Sequence, residues 1–469
     1  MAANKLVPPE VSLDQRFAEA MGQLLGPSFP SDIGLAVSGG GDSMSMLYLA
    51  HNWTRIWGVR LWVVTVDHGF RPESADEAAM VARECSELGW PHSTLRWHWD
   101  GQGNKMDAAR RGRLEMIDRW RGDLQHVLLA HTRDDVAETF LMRLARGSGV
   151  EGLSAMAASR TVRHGGSRPL TAPEFDGVLP QQSMPVKGGP GHHSAFQVVR
   201  PCLTMTRAEL RHYLRTLKGR WVEDPSNDDP AYGRSRIRQA LPALAELGLD
   251  VTTLADTAER MARARNALRA RAVQVWKEIG HEGRAGHIPT GEILFDRSGF
   301  EPVERDTQLR LLAAALQWVS SAEYRPRIAP LDALLDRLLA GGAGTLHGCE
   351  ARMERDKLRI FREFKAVQGL TQPLDQGDGR VPLWDGRWQM HGSDTKGEFV
   401  RALGEDGWAQ IGERPEAAPP FHSAKSLPSL WQGDTLVACH ALGHTGTPGT
   451  RLWPMGQEMG SFARFLLSH

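Results

Sequence analysis

The chain has 469 residues, is 41% hydrophobic, and carries 56 Lys plus Arg against 56 Asp plus Glu. That length calls for about two to four domains, and the hydrophobic share excludes wholesale disorder. The zero net charge excludes a basic protein that coats nucleic acid indiscriminately. No apolar run approaches the roughly 20 residues needed to span a bilayer. The N-terminal MAANKLVPPE lacks the apolar stretch of a secretory signal. Cys85, Cys202, Cys349 and Cys439 lie far apart with no C-x-x-C, which disfavours disulfide scaffolds, zinc knuckles and cysteine-held clusters. A reduced, cytoplasmic compartment and no membrane partner are expected.

In chain order, Ile33–Val37 reads as a short buried strand running into Ser38-Gly39-Gly40-Gly41. Residues 43–57 then place Met44, Leu47, Tyr48 and Ala50 at helical spacing. Leu61–Val66 is a second strand, residues 73–88 a helix, and Leu95–Trp97 a weak third strand. Residues 105–121 form a basic helix, His126–Ala130 a fourth strand, and residues 132–146 another helix. This alternation predicts an α/β domain: a parallel sheet with helices on both faces. Ligands in such sheets sit at the carboxyl ends of the strands.

The stretch 161–197, rich in Gly and Pro, reads as a long exposed loop. His192 and His193 within it have no neighbouring carboxylate, which favours a solvated loop over a metal site. Helices are expected at 204–217, with Thr204 or Thr206 as the cap, and at 251–279, 305–319 and 330–340. Alternation over 345–362 around Arg355-Asp356-Lys357 predicts a hairpin. From 366 onward the chain is Gly-, Pro- and Trp-rich with short β-like pieces.

The segment Ala36-Val37-Ser38-Gly39-Gly40-Gly41-Asp42-Ser43 carries the strongest chemistry. Glycines let the backbone approach an anion and leave its N–H groups free. The helix start adds positive dipole density, and Ser38 and Ser43 add hydroxyls. No Lys follows the glycines, so this is not a Walker A loop. Asp42 would repel phosphate unless a cation stood between them, which suggests Mg²⁺. The pattern resembles the pyrophosphatase loop of the N-type ATP pyrophosphatases, an adenine nucleotide alpha-hydrolase-like superfamily that includes GMP synthetase and NAD synthetase.

Further segments narrow the resemblance. They are Val66-Asp67-His68-Gly69-Phe70-Arg71, Ala130-His131-Thr132-Arg133-Asp134-Asp135-Val136-Ala137-Glu138-Thr139, Arg146–Leu153, Arg200-Pro201, Trp221–Asn227 and Arg234–Arg238. In this order the set resembles tRNA(Ile)-lysidine synthetase, densely over 33–155 and 198–240 and more loosely over 241–363. The resemblance implies a ligase that adenylates the C2 oxygen of the wobble cytidine in a CAU-anticodon isoleucine tRNA with ATP. The ε-amine of free L-lysine then displaces AMP and lysidine results.

The resemblance assigns roles residue by residue. Ser38, Gly39, Gly40, Gly41, Asp42 and Ser43 would hold the phosphates, and Val66 and His68 would frame adenine or ribose. Asp42 and Asp135 would share one Mg²⁺, Glu138 would bind or deprotonate the lysine ammonium, and Arg113 would clamp phosphate or the activated cytidine. For His131, packing and catalysis both remain open. Arg234, Arg236 and Arg238, with Arg263 and Arg269 on the arginine-biased stretch 258–271, are candidate tRNA contacts. Arg359 in the hairpin either grips RNA or stabilises its own domain. Thr132 stands where the family commonly has a second histidine, and Ser235 where it commonly has asparagine.

The expected organisation is a catalytic domain over 1–220, a helical tRNA-contacting domain over 221–305, a small α+β domain over 306–365, and a β-like tail over 366–469. A homodimer is left open. Within the same superfamily, a cluster- or cysteine-dependent tRNA thiolase would need C-x-x-C. A non-catalytic ATP-sensing RNA-binding protein would not need the three acids Asp42, Asp135 and Glu138.

Overall fold

The computed structural model describes residues 11–103, 105–163, 170–180, 195–223, 233–374, 383–391, 398–446, 451–454 and 462–468. His192, His193 and the Asp224–Asn227 part of the motif set lie outside them. The chain forms two compact units, Met1–Arg263 and Ala264–His469. Among the described residues no helix is long and apolar enough to cross a membrane.

In the first unit the strands are β1 (Asp32–Ala36), β2 (Arg60–Asp67), β3 (His92–Arg96), β4 (His126–Leu129), β5 (Ser159–Arg163), β6 (Phe175–Gly177) and β7 (Ala195–Val199). The helices are α1 (Leu13–Leu25), α2 (Gly41–Trp57), α3 (Ser74–Leu88), α4 (Lys105–Trp120), α5 (Arg133–Leu144), α6 (Val150–Leu153), α7 (Arg207–Thr216), α8 (Gly233–Glu246) and α9 (Val251–Ile279), of which the first residues belong here.

The strands join in the order β5-β7-β4-β1-β2-β3-β6. The inner pairings β7–β4, β4–β1, β1–β2 and β2–β3 are parallel. Both outer strands, β5 and β6, are antiparallel. The sheet is therefore mixed and mostly parallel.

Side chains alternate across its plane with the two-residue period of a strand. Leu61 and Val63 of β2 and Leu128 of β4 join Phe17, Met21, Leu47 and Leu210 in one core. Trp62 and Val64 of β2 and Val127 and Leu129 of β4 join Met116, Ile117 and Trp120 in the other. Helices α1, α2 and α7 thus cover one face and α4 the other, and near-continuous apolar strands follow from burial on both sides. Gly34 makes room on the α4 face, where a Cβ would meet Val127 at 3.0 Å and the Trp120 ring at 3.3 Å.

Strand order reverses between β1 and β4, since the chain runs outward from β1 to β2 and β3 and then returns to β4. Loops leave the carboxyl ends of β1 and β4 on opposite sides and open a crevice there. The glycine loop follows β1, and His131 and Thr132 follow β4.

The expectation of one long loop over 161–197 is corrected at its ends and middle. Val162 packs from β5 into the core, β6 pairs with β3, and Phe196 of β7 is buried. A stretch rich in glycine and proline still supplies short strands where a sheet edge is there to pair with them.

The second unit contains β8 (Gly280–Ala285), β9 (Ile288–Asp296), α10 (Arg297–Phe300), α11 (Arg305–Ser320), α12 (Ile328–Leu339), β10 (Ala343–Leu346), β11 (Cys349–Met353) and β12 (Lys357–Arg362). Its larger sheet runs β10-β11-β12-β9-β8 and packs Ile293, Phe295, Leu358 and Ile360 against Leu312, Leu316 and Leu335. The expected hairpin is β11–β12, with Arg352 opposite Arg359. Arg359 is buried and donates to Glu354 at 2.7 Å and Glu292 at 2.8 Å, so within its own unit it is a structural ion pair. Among the described residues of the tail are two small antiparallel sheets.

Candidate active site

The glycine loop turns at Gly39, whose φ of +85° is open to glycine at little cost. Gly40 caps α2 without any side-chain bond to the first turn. The N–H groups of that turn therefore point outward with no intrahelical acceptor. Ser43 Oγ donates to the Gly40 carbonyl at 2.9 Å and accepts from Ser38 N at 3.1 Å. Ser38 Oγ lies 3.2 Å from Ser43 Oγ. Val222 N donates to the Gly39 carbonyl at 2.9 Å and braces the loop from outside. The result is a fixed cradle of N–H and hydroxyl groups at a helix N-terminus, matched to an anion.

Three carboxylates stand beside it, and one arginine stands among them. Arg207, the first residue of α7, donates from Nε to Asp42 Oδ2 at 3.2 Å and from a terminal nitrogen to Glu138 Oε1 at 3.2 Å. It also lies 3.9 Å from Asp135 Oδ1. Its backbone N–H donates to Asp134 at 2.8 Å. These acids hold its guanidinium firmly protonated despite burial. Glu138 is fully buried and also accepts from Arg238 Nε at 2.6 Å.

Asp135 and Asp42 differ in their support. Burial opposes the Asp135 charge, but the Thr132 backbone N–H, Arg234 and Arg207 outweigh it and hold the carboxyl below its usual range. Thr132 caps α5, and its N–H and hydroxyl donate to Asp135 at 2.9 and 3.0 Å. A threonine here thus completes the capping box locally. For Asp42 burial wins over Arg207, and the neighbouring Asp135 and Asp134 push the same way, so its carboxyl is raised. Asp42 Oδ1 is buried without a hydrogen-bond partner.

A second cluster is cationic. Burial and the charges of Arg110 and Arg234 push the Arg113 guanidinium down, with Asp135 the opposing influence. Its Nε has no hydrogen-bond partner. Arg200 is pushed down to about 10 by burial and by Arg160, Arg110 and Arg113. It donates to His131 Nδ1 at 3.2 Å and to the Ala157 carbonyl at 2.7 Å. Burial, partly offset by Asp135, pushes His131 down to about 3. His131 is therefore neutral, with its proton on Nε2 because Nδ1 accepts from Arg200. His68, pushed down to about 4 by burial and Arg113, is neutral too.

The fold thus gathers Asp42, Asp135 and Glu138 around Arg207 and sets Arg113, His131 and His68 in one electrostatic neighbourhood. Val66, the penultimate residue of β2, is half-buried. Arg234 and Arg236 are exposed on α8, while Arg238 is drawn onto Glu138. Arg263 is exposed on α9, and Arg269 donates to the Leu467 carbonyl at 3.0 Å. Ser235 is buried. All four cysteines are free and buried.

Arg207 was not singled out by the sequence reading. Its signal was available: a cation directly after the Thr206 cap opposes the helix dipole and needs acids from elsewhere.

Residues 13–244 match the PP-loop domain family. A tRNA(Ile)-lysidine synthase of Ruegeria pomeroyi is 38% identical over 445 residues, covering 94% of this chain and 95% of that protein. Another so named, from a Bradyrhizobium strain, is 38% identical over 69% of this chain and 84% of its own length. A third, from Wolbachia pipientis wMel, is 30% identical over 77% of both. With the nucleotide-type crevice, the phosphate cradle and the acid cluster in place, a likeness that runs almost end to end identifies the chain as a member of the tRNA(Ile)-lysidine synthase family.

Proposed function

We propose that the protein ligates free L-lysine to C2 of the wobble cytidine in a CAU-anticodon isoleucine tRNA, consuming ATP and releasing AMP and pyrophosphate. The observation that carries this reading is the pairing of an anion cradle with a buried carboxylate cluster across the β1–β4 crevice. The first half suits a triphosphate and the second an ammonium nucleophile.

The residues divide the work in two steps. In the first, the cytidine O2 attacks the α-phosphorus and pyrophosphate leaves. The loop N–H groups with Ser38 and Ser43 hold the phosphates, while Arg113 and Arg200 face developing charge on the transferred group. Asp42 and Asp135 fit a Mg²⁺ ion, because both offer hard oxygens and Asp42 Oδ1 is buried and unpaired. When bound, the ion would neutralise phosphate charge. In the second step, the lysine Nζ attacks C2 and AMP leaves with the former O2. Glu138 takes the ammonium in place of a guanidinium and accepts its proton, since an ammonium has no lone pair.

The test mixes the protein with ATP, Mg²⁺, labelled lysine and the CAU-anticodon isoleucine tRNA. Label enters the tRNA and one AMP forms per lysine. A folded protein that leaves the tRNA unlabelled sinks the reading.

A further inference from the structure

We infer that Trp99, Phe70 and Lys105 form a one-nucleotide site that holds the anticodon-loop nucleotide next to the reacting cytidine. This rests on the tRNA reading above and names a contact within it.

The site lies at the carboxyl ends of β2 and β3, on the ligand side of the sheet. Phe70 follows β2, Trp97 and Trp99 follow β3, and Lys105 opens α4. The rings are built into one another. His68 stacks on Phe70 with centroids 5.5 Å apart, and Trp97 meets both edge-on at 5.5 and 6.1 Å. Trp97 is in turn fixed by α4: at Gly112 an added Cβ would lie 2.0 Å from its indole nitrogen. Trp99 differs from these inner rings. It is 38% exposed, although its indole N–H is held by the Gln102 carbonyl at 3.1 Å. A large apolar ring is thus left partly exposed while a local hydrogen bond fixes its edge.

Lys105 supplies the other half. Its Nζ sits 4.0 Å from the Phe70 centroid and 5.9 Å from that of Trp99. Among the described residues it forms no ion pair with a carboxylate. An exposed ring beside an ammonium steadied by aromatic faces matches one nucleotide, with the base on the ring and its phosphate on the charge. Single-stranded loops offer such unstacked bases, whereas duplex RNA does not.

Position selects which nucleotide. His68, which stacks on Phe70, lies within the influence of Arg113, and Arg113 lies within that of Asp135. The shelf therefore borders the centre where the cytidine would react, and a base immediately next to that cytidine is the one within reach. A free ATP adenine is the competing occupant, and the experiment separates the two.

Dissociation constants for the CAU-anticodon tRNA and for ATP are measured on the full chain and on Trp99→Ala, Trp99→Tyr and Lys105→Ala. Trp99→Ala weakens tRNA binding by about fivefold or more, as loss of one stacked base does. Trp99→Tyr restores most of it, and ATP binding is unchanged. Lys105→Ala lowers the slope of log affinity against log salt by somewhat less than one phosphate contact's full unit, about 0.7. With a tRNA made abasic on one side of the wobble position, Trp99→Ala costs nothing further. Unchanged tRNA binding by Trp99→Ala overturns the inference, and so does a loss confined to ATP. These are binding readouts, so a protein that binds as described but fails to transfer lysine would overturn the function and leave the shelf standing.

Discussion

Arg113, half-buried, and Arg359, buried, lie one in each unit and are treated in opposite ways. Arg359 lies between Glu292 and Glu354, and these acids raise its guanidinium against the cost of burial. Arg113 is pushed down by burial and by Arg110 and Arg234, with only Asp135 opposing. The contrast separates two uses of one side chain. A structural arginine has its counter-charge inside the fold. We propose that Arg113 instead serves a ligand, whose negative charge would make good the deficit around it.

The comparison breaks if the two residues respond alike. Arg113→Ala is expected to lower the rate of lysine transfer by about 10²–10³-fold, the usual loss for one donor to a developing oxyanion, while the melting temperature holds or rises. Arg359→Ala should do the reverse. Removing one partner of a buried pair costs about 3–5 kcal/mol, read as a lower urea midpoint for the unit that contains it, with transfer per folded molecule unchanged.

Two pH experiments sharpen it. His68 and His131 are held neutral, with values lowered to about 4 and about 3. The unfolded chain takes up protons there that the folded chain refuses, so stability is intact above the unfolded value near 6.5 and declines as pH falls below it. His68→Gln should remove about 1–3 kcal/mol of the loss between pH 6.5 and 4, measured by denaturant unfolding at each pH. The smallest effect on stability concerns Asp42, whose carboxyl is raised. Its folded form holds a proton more tightly than the unfolded form, so this contribution is present at acid pH and lost as pH rises through the folded value. At pH 7 the charged carboxylate therefore strains the ligand-free site, and Asp42→Asn should raise the melting temperature by roughly 2–4 °C while abolishing transfer. A lower melting temperature would show that Arg207 outweighs burial after all.

Local rules made much of this legible from sequence. The long breaker-free pattern over 251–279 is α9 from end to end, because helical periodicity needs no tertiary partner to be read. The glycine loop was equally plain, since its chemistry lies in consecutive residues. The antiparallel strands β5 and β6 were not. They are short and bordered by glycine and proline, and each gains its place only by pairing with β7 or β3. Arg207 illustrates the same limit within the site. It lies 165 residues from Asp42 in the chain yet bonds to it directly, and no local pattern encodes that approach. Arg238 reads as one of three alternating arginines, Arg234, Arg236 and Arg238, but only the fold distinguishes it by supplying Glu138.

One joint described above has a mechanical consequence. The first turn of α5 and the start of α7 are stapled twice: Arg207 N–H to Asp134, and Arg133 N–H to the Met205 carbonyl at 2.8 Å. The chain between them leaves and returns at a fixed point, like thread between two knots. Only the connections between its strands can vary cheaply in length, because lengthening a closed loop twofold costs only about 0.6 kcal/mol. The two staples therefore fix the spacing of Asp134 and its neighbour Asp135 against the start of α7, and with it the reach of Arg207 to Asp42 and Glu138.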